Sequence, residues 1–548
     1  MLNKKFYPFI IAVSAILFFI PFLGSVHLFD WDEINFAESA REMIATGNFS
    51  RVQIDFQPFW EKPPLFFWMQ AGCMKIFGVN ELAARLPNAV FGIISLLTFY
   101  FIGKKLKDEK FGLIWALAYM GSFLPHLYFK TGIIDPVYNY FIFITLFFIF
   151  KVIHEPREKI SLLYSISGGI SIGLATLTKG PVGFLIVAIS VLVYWISIHL
   201  KKITNLRNII AFGISFILVS SLWFGLEMLK NGPWFINEFI KYQVNLFLTP
   251  VAGHGGPIYY HFVVVFLGCF PISVVALPFI LGKKTENPDM NALFLKWMVV
   301  LFWVVMILFT IVKTKIIHYS SLTYFPLSFI AAYFIYELIN KRAVLKKYLV
   351  WIIIITGTIL SLILTSLPLL AQYKEIISPY IKDQFALACL NTAVKWSGTE
   401  FLIGVFYFIL LAFSVAMLNK EKILKGFITL FYATSFCMFF YLFVVVPKIE
   451  KYTQAPAIDF FKSISGKDVY VSTIEYYSYA PYFYFQKKPG ENKKSSDKEW
   501  LLNGDIDKPA YLVAKVTSRD FFDKHPDCIL IKKEGGFLFY LRMPVTSK

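Results

Sequence analysis

Charge is scarce in this chain. Asp, Glu, Lys and Arg together make up 16% of 548 residues, against about a quarter in soluble globular domains, which excludes an ordinary soluble fold. Cysteine is scarcer still: Cys73, Cys269, Cys389, Cys437 and Cys528 are odd in number and lack motif spacing, so no disulfide scaffold is encoded. No CxxC and no Cys/His cluster offers a structural zinc site. A Gly-rich nucleotide loop is missing, as are internal repeats and low-complexity segments.

What is present is apolar. Residues of the AVILMFWYC set supply 57% of the chain and aromatics 19%, with 60 Phe alone, and the mean hydropathy is +0.62. Disordered chains are poor in aromatics, so disorder is excluded too. The net charge of +18 does not point to nucleic acid, because the lysines punctuate apolar runs. The chain reads as a polytopic α-helical membrane protein.

A crossing needs about 20 mostly apolar residues. Windows that qualify lie near 7–27, 82–103, 111–129, 133–152, 161–178, 181–199, 208–228, 259–281, 291–312, 317–338, 348–371, 400–418 and 424–446, a count of about 13. The first follows Lys4 and Lys5 like a signal peptide, but it is too long and lacks a small-residue cleavage site, so it is expected to be retained. With the N-terminus inside, the inner loops hold roughly 21 basic residues in short segments, against roughly 13 in much longer outer loops. Lys104, Lys105, Lys151, Lys201, Lys202, Lys283, Lys284, Lys341 and Lys420 are among the inner set. An odd span count then puts the C-terminal hundred residues outside. That tail, 449–548, changes character. It alternates β-like runs (470–473, 510–516, 528–532, 537–542) with helical patterns (456–464, 518–524), and Glu534-Gly535-Gly536 reads as a hairpin turn. Two domains are expected: a transmembrane part over 1–448, including an outer juxtamembrane loop over 28–80, and a small α/β domain over 449–548.

Polar residues without a solvation reason gather in the outer loops. Asp30-Trp31-Asp32-Glu33 has the form of a capping box and opens an amphipathic helix expected to lie on the outer membrane surface, with Asp32 and Glu33 near its positive end. Helix capping alone would also account for these acids. Trp60-Glu61-Lys62-Pro63-Pro64 is stiffened by two prolines and holds Glu61 and Lys62 at the interface; a snorkelling lysine is the plainer alternative. Asp135-Pro136 sets a carboxylate at the mouth of a span, or caps the helix it begins. Thr178-Lys179-Gly180-Pro181, His254-Gly255-Gly256-Pro257-Ile258-Tyr259-Tyr260 and Lys313-Thr314-Lys315-Ile316-Ile317-His318-Tyr319 complete one face carrying both acids and bases. Such a face suits a lipid with an anionic head. Lysines and helix N-termini can hold a phosphate that is also a leaving group, and a carboxylate can orient or deprotonate the attacking group.

Taken in order, Asp32-Glu33, Glu61-Lys62-Pro63-Pro64-Leu65, Arg85-Leu86-Pro87, Asp135-Pro136, the Lys179 turn, the His254 loop and Lys315-Ile316-Ile317-His318-Tyr319 resemble the aminoarabinose transferase/protein O-mannosyltransferase superfamily of C-type membrane glycosyltransferases. The likeness runs over about residues 5–330 by motif, and as an ordered set it is specific. It implies an inverting transfer of an aminoarabinose-like sugar from undecaprenyl phosphate to lipid A or a related envelope glycolipid. This is the lipopolysaccharide modification linked to polymyxin resistance, at the outer, periplasmic face of a bacterial inner membrane. It implies catalytic roles for Asp32, Glu33 and Asp135. Contacts to the donor phosphate are implied for Lys62, Arg85, Lys179, Lys313, Lys315, His318 and Tyr319. Glu61 and His254 match positions that can share a zinc ion; two ligands do not close a tetrahedral site, so such a metal would be auxiliary. No nucleotide cofactor, no nucleic-acid partner and a monomer are expected. The chain departs from the family pattern at Asn35 and Phe36, where Arg and Tyr are frequent, and at Phe59, where a Tyr is frequent. A protein O-glycosyltransferase with Ser/Thr acceptors is the alternative enzyme. A polyprenyl-lipid transporter would need midplane ionisable residues and an inverted repeat, and neither is evident.

Overall fold

A computed structural model describes residues 4–201, 203–249, 255–282, 289–490 and 492–544. His254, Lys202, Lys283 and Lys284 lie outside the described residues. Nine described helices are long and apolar enough to cross a membrane. They are Glu81–Leu106, Asp135–His154, Glu158–Lys179, Leu206–Asn231, Met290–Ile311, Ile317–Ile339, Lys347–Gln372, Leu402–Asn419 and Ile423–Glu450, and each falls on an expected window. The four remaining windows hold shorter helices. Tyr7–Phe19 stops before Pro21, Val182–Ser197 spans 16 residues, Glu109–Met120 and Phe123–Tyr128 part at Gly121, and Tyr260–Gly268 and Ile272–Ile280 part at Pro271. A proline inside a helix removes an N–H and clashes with the preceding turn, which is why the last of these runs breaks.

The bundle is apolar inside and out. Trp115, Trp297, Tyr100 and Phe99 are fully buried, while Ile217, Leu218, Leu222 and Leu229 of the Leu206–Asn231 helix are largely exposed. An exposed apolar surface of that extent is stable only against lipid. The Lys104–Glu109 and Lys107–Asp289 ion pairs lie at the end of the bundle away from the long 28–80 loop.

Within 28–80 the chain forms the Asp32–Thr46 helix, a two-stranded ribbon of β1 (Gln53–Ile54) and β2 (Gln57–Pro58), and the Leu65–Phe77 helix. The first of these is no surface helix. All residues from Glu33 to Met43 are buried, because it lies beneath the C-terminal unit, in one apolar cluster with the Leu65–Phe77 helix and with Ile458, Phe461 and Phe483. The expected capping box is also replaced. Glu33 accepts a hydrogen bond from the Phe29 N–H at 2.8 Å, whereas the Asp30 carboxylate accepts from the Tyr479 N–H at 3.2 Å and so ties the turn to the C-terminal unit.

That unit is a four-stranded sheet in the order β3-β4-β6-β5, with β3 (Tyr470–Thr473) parallel to β4 (Ala510–Lys515) and β6 (Phe537–Arg542) antiparallel to both β4 and β5 (Cys528–Glu534). The β5–β6 turn is Gly535-Gly536, both with positive φ, a conformation that a side chain resists. Further ties hold the unit to the loop. The Leu28 N–H donates to the Tyr484 hydroxyl at 2.7 Å, Gln454 bridges the Asp30 N–H and the Leu28 carbonyl, and Lys487 pairs with Asp55.

Candidate active site

Five chain segments meet at one place. Asp32 and Asp135 are the first residues of their helices, Lys179 the last of its own, Glu61 and Lys62 precede the Leu65–Phe77 helix, and His318 and Tyr319 lie in the short 3₁₀ turn Ile317–Thr323. Tyr242 joins them from the Trp234–Leu248 helix. Two helix N-termini facing the cluster add partial positive charge to it.

The geometry is that of a charged cup. Lys179 Nζ donates to Asp135 Oδ1 at 2.6 Å, with only 6% of the Asp135 side chain exposed, and the same ammonium lies 5.5 Å from the Tyr319 ring centre. His318 Nε2 is 3.6 Å from Asp32 Oδ2. Lys62 Nζ is 3.8 Å from Glu61 Oε2 and 5.1 Å from the centre of the Tyr242 ring. Among the described residues Lys62 has no hydrogen-bond acceptor in reach. Burial lowers its pKa from the usual lysine value; Lys179 pushes the same way, and Glu61, Asp32 and Asp135 oppose it. The Tyr242 phenol is raised by burial and by the Glu61 carboxylate.

Sequence motifs become geometry here. Gly180 has φ +105°, and a Cβ on it would collide with the Phe239 ring, so only glycine lets the chain leave Lys179 in that direction. Pro63 and Pro64 fix the approach to the Leu65–Phe77 helix, whose N-cap is Pro64. The glycine pair after His254 packs Gly256 against the stem of Lys315.

Several expected members do other work. Arg85 is no phosphate ligand: its five N–H groups go to Glu33, the Leu23 and Val26 carbonyls and the His27 carbonyl, and none is left for a ligand. Glu33 is therefore a structural acid. It takes a bidentate pair from Arg85 and hydrogen bonds from the Phe29 and Gly132 N–H groups, and these partners hold its pKa below the usual carboxylate range against the cost of burial. Lys315 donates to the Phe309 and Thr310 carbonyls at 2.9 and 2.8 Å, capping the Met290–Ile311 helix, and is 6% exposed. Lys313 is exposed. Phe36 packs on Phe66 and Phe67 in the core and does not reach the cup. Tyr242 was missed because the charges of the 234–248 helix, Glu238 and Lys241, pair with each other at 2.7 Å and give a lone tyrosine beside them no distinguishing motif.

Zinc would need more than this. Glu61 already faces Lys62 and lies beside the Tyr242 phenol, and no group of three or more His, Cys, Asp or Glu able to hold a metal occurs among the described residues. The cup carries charge of both signs, Asp32, Glu61 and Asp135 facing Lys62, Lys179 and His318.

Residues 61–224 match the family model described as dolichyl-phosphate-mannose-protein mannosyltransferase. An undecaprenyl phosphate-α-4-amino-4-deoxy-L-arabinose arabinosyl transferase of Wigglesworthia glossinidia brevipalpis is 26% identical over 409 residues, 72% of this chain and 70% of its own length. A second transferase of that name, from Proteus mirabilis, is 26% identical over 343 residues, 61% of this chain and 60% of its own. The fold is that of ArnT from Cupriavidus metallidurans bound to undecaprenyl phosphate, with a TM-score of 0.78 at 16% identity and 97% of each chain covered.

Proposed function

We propose a glycosyl transfer, proceeding from the membership of this chain in the superfamily that joins the aminoarabinose transferases to the protein O-mannosyltransferases. In this reading an aminoarabinose-like sugar passes from undecaprenyl phosphate to lipid A or a related glycolipid, at the outer, periplasmic face of a bacterial cytoplasmic membrane. The observation that carries it is Lys62, a largely shielded ammonium (13% exposed) with no hydrogen-bond acceptor among the described residues, held by two prolines beside a carboxylate cluster. A phosphate diester supplies the missing acceptor.

The reaction then follows from charge. The bond from the anomeric carbon to the phosphate oxygen breaks with its electron pair leaving on the phosphate, so negative charge grows where Lys62 sits. Fixed cations at that point stabilise the transition state more than the ground state. Attack from the opposite face of the sugar inverts the anomeric centre. An acceptor phosphate is already ionised and needs no base, and Asp32, beside His318, then orients the amino sugar and its attacker. Lys179 is committed to Asp135, so this pair braces the cup and shifts its field without releasing a free charge.

Reconstitution of the full chain in vesicles with synthetic undecaprenyl-phosphate aminoarabinose and lipid A tests the reading. A mass increment of one amino sugar on lipid A is expected. Donor that stays intact, with no undecaprenyl phosphate bound, overturns it.

A further inference from the structure

A cavity of about 500 Å³ lies between the C-terminal unit and the segment joining the Lys347–Gln372 and Leu402–Asn419 helices. Phe385, Cys389, Ile458 and Phe537 supply its apolar wall, and Asp30 and Lys515 its charge. The β5–β6 turn closes one side, where Gly536 meets Cys389 and Phe385 so closely that a Cβ would stand 2.7 Å from the Cys389 sulfur. Neither the cup around Lys62 nor the reaction above uses this space.

Four features define its occupant. The volume lies within the range of about 300–1,000 Å³ typical of small-molecule sites; it accepts one fatty-acyl chain and is far too small for a long polyprenyl tail. Its level is that of the bilayer surface: Tyr373, Ile376 and Tyr380, beside the ends of two spans, are exposed, as interfacial aromatic and aliphatic anchors are, and Ile381 next to them lines the cavity. Lys515 lies over the Phe385 and Tyr476 rings at 4.8 and 5.5 Å with no carboxylate in ion-pair range among the described residues, which suits an anionic headgroup. Asp30, finally, is two residues from Asp32, so a ligand seated here touches the turn that carries the site.

We propose that this cavity holds a fatty-acyl chain of the acceptor, an anionic acylated glycolipid, and thereby positions its head beside Asp32. The proposal rests on the transfer reading above and assigns it an acceptor subsite distinct from the donor-phosphate cup. The volume admits one acyl chain of the acceptor, and the longer donor tail stays in the bilayer.

The test uses the full chain in phosphatidylcholine nanodiscs, photolysed with a phosphatidic acid bearing a diazirine in its acyl chain. Crosslinks are expected within 381–390 and 454–458, displaced by lipid A and not by undecaprenyl phosphate. Ala386 lines the cavity on an exposed helix face, so Ala386→Trp should cut labelling at least fivefold while leaving undecaprenyl-phosphate affinity and the unfolding midpoint unchanged. If that variant fails to fold, Lys515→Gln serves: lipid A should then displace the probe at least threefold less well. Absence of labelling at these peptides, displacement by undecaprenyl phosphate, or failure of lipid A to compete overturns the proposal. Labelling needs no turnover, so a failed transfer reading appears separately, as intact labelling without product.

Discussion

Asp32 and Glu33 are neighbours in the chain and face opposite surroundings. Asp32 keeps 36% of its side chain exposed and stands 3.6 Å from His318, whereas Glu33 is 4% exposed and locked to Arg85. One residue of helix, a rotation of about 100°, separates an acid that can meet substrate from one that holds three segments together.

The two acids should therefore fail differently. Asp32→Asn is expected to abolish transfer with the unfolding midpoint in detergent unchanged. Glu33→Gln leaves a buried guanidinium unpaired and should cost about 3–5 kcal/mol of stability. Thermal unfolding and single-turnover transfer, measured on both variants, separate these outcomes. Wild-type turnover in the Asp32→Asn variant would remove Asp32 from the reaction.

Lys62 should govern donor binding and turnover together. Lys62→Ala is expected to lose about 2–4 kcal/mol of transition-state stabilisation, and Lys62→Arg to recover part of it, since a planar fork differs in reach from a point charge. Burial already favours the neutral amine. The charge that binds phosphate is thus fully present at low pH and is lost as pH rises through a pKa below that of a free lysine. Donor affinity should fall on the alkaline side earlier than an exposed lysine would dictate, and bound phosphate should move that fall to higher pH. Titrating undecaprenyl-phosphate binding against pH in wild type and Lys62→Arg checks the sign.

Arg85 and Lys315 are expected to matter for folding and not for the donor. Lys315→Met removes a charged cap from two helix carbonyls and should destabilise by about 1.5–3 kcal/mol, leaving undecaprenyl-phosphate affinity within twofold. A tenfold loss of affinity in that variant would restore Lys315 to the phosphate site.

Glu42, buried in the Asp32–Thr46 helix, has its pKa pushed up to about 9 by burial and by neighbouring Glu38. A carboxyl raised in the folded state adds stability that is full below the ordinary carboxylate pKa and is lost as pH climbs toward 9. Glu42→Gln should flatten that decline. Unfolding midpoints between pH 5 and 9 for both proteins measure it, and parallel curves would show that Glu42 ionises freely.

Membrane sidedness is testable with an impermeant thiol reagent in a background without the native cysteines. Single cysteines at 32, 135 and 490 should label from one side and a cysteine at 104 from the other. Labelling of 32 and 104 from the same side would refute the topology.

The sequence by itself determined the membrane character, the places of the nine long spans among about 13 expected ones, the strand pattern of the C-terminal unit and the identity of Asp32, Glu61, Lys62, Asp135, Lys179, His318 and Tyr319 as one face. These are written in periodicity, in loop charge and in local motifs, all of which act over a few residues. Tertiary structure decided which of the charged residues are free. Arg85 and Lys315 look like phosphate ligands until the Leu23–His27 and Phe309–Thr310 carbonyls arrive to use their N–H groups, partners that no local pattern announces. It also buried the Asp32–Thr46 helix under a domain more than 400 residues later in the chain, brought Tyr242 to Glu61, and enclosed the cavity beside Asp30. Hydrogen-bond saturation and burial are set by what packs from elsewhere, so they stay hidden until the chain is folded.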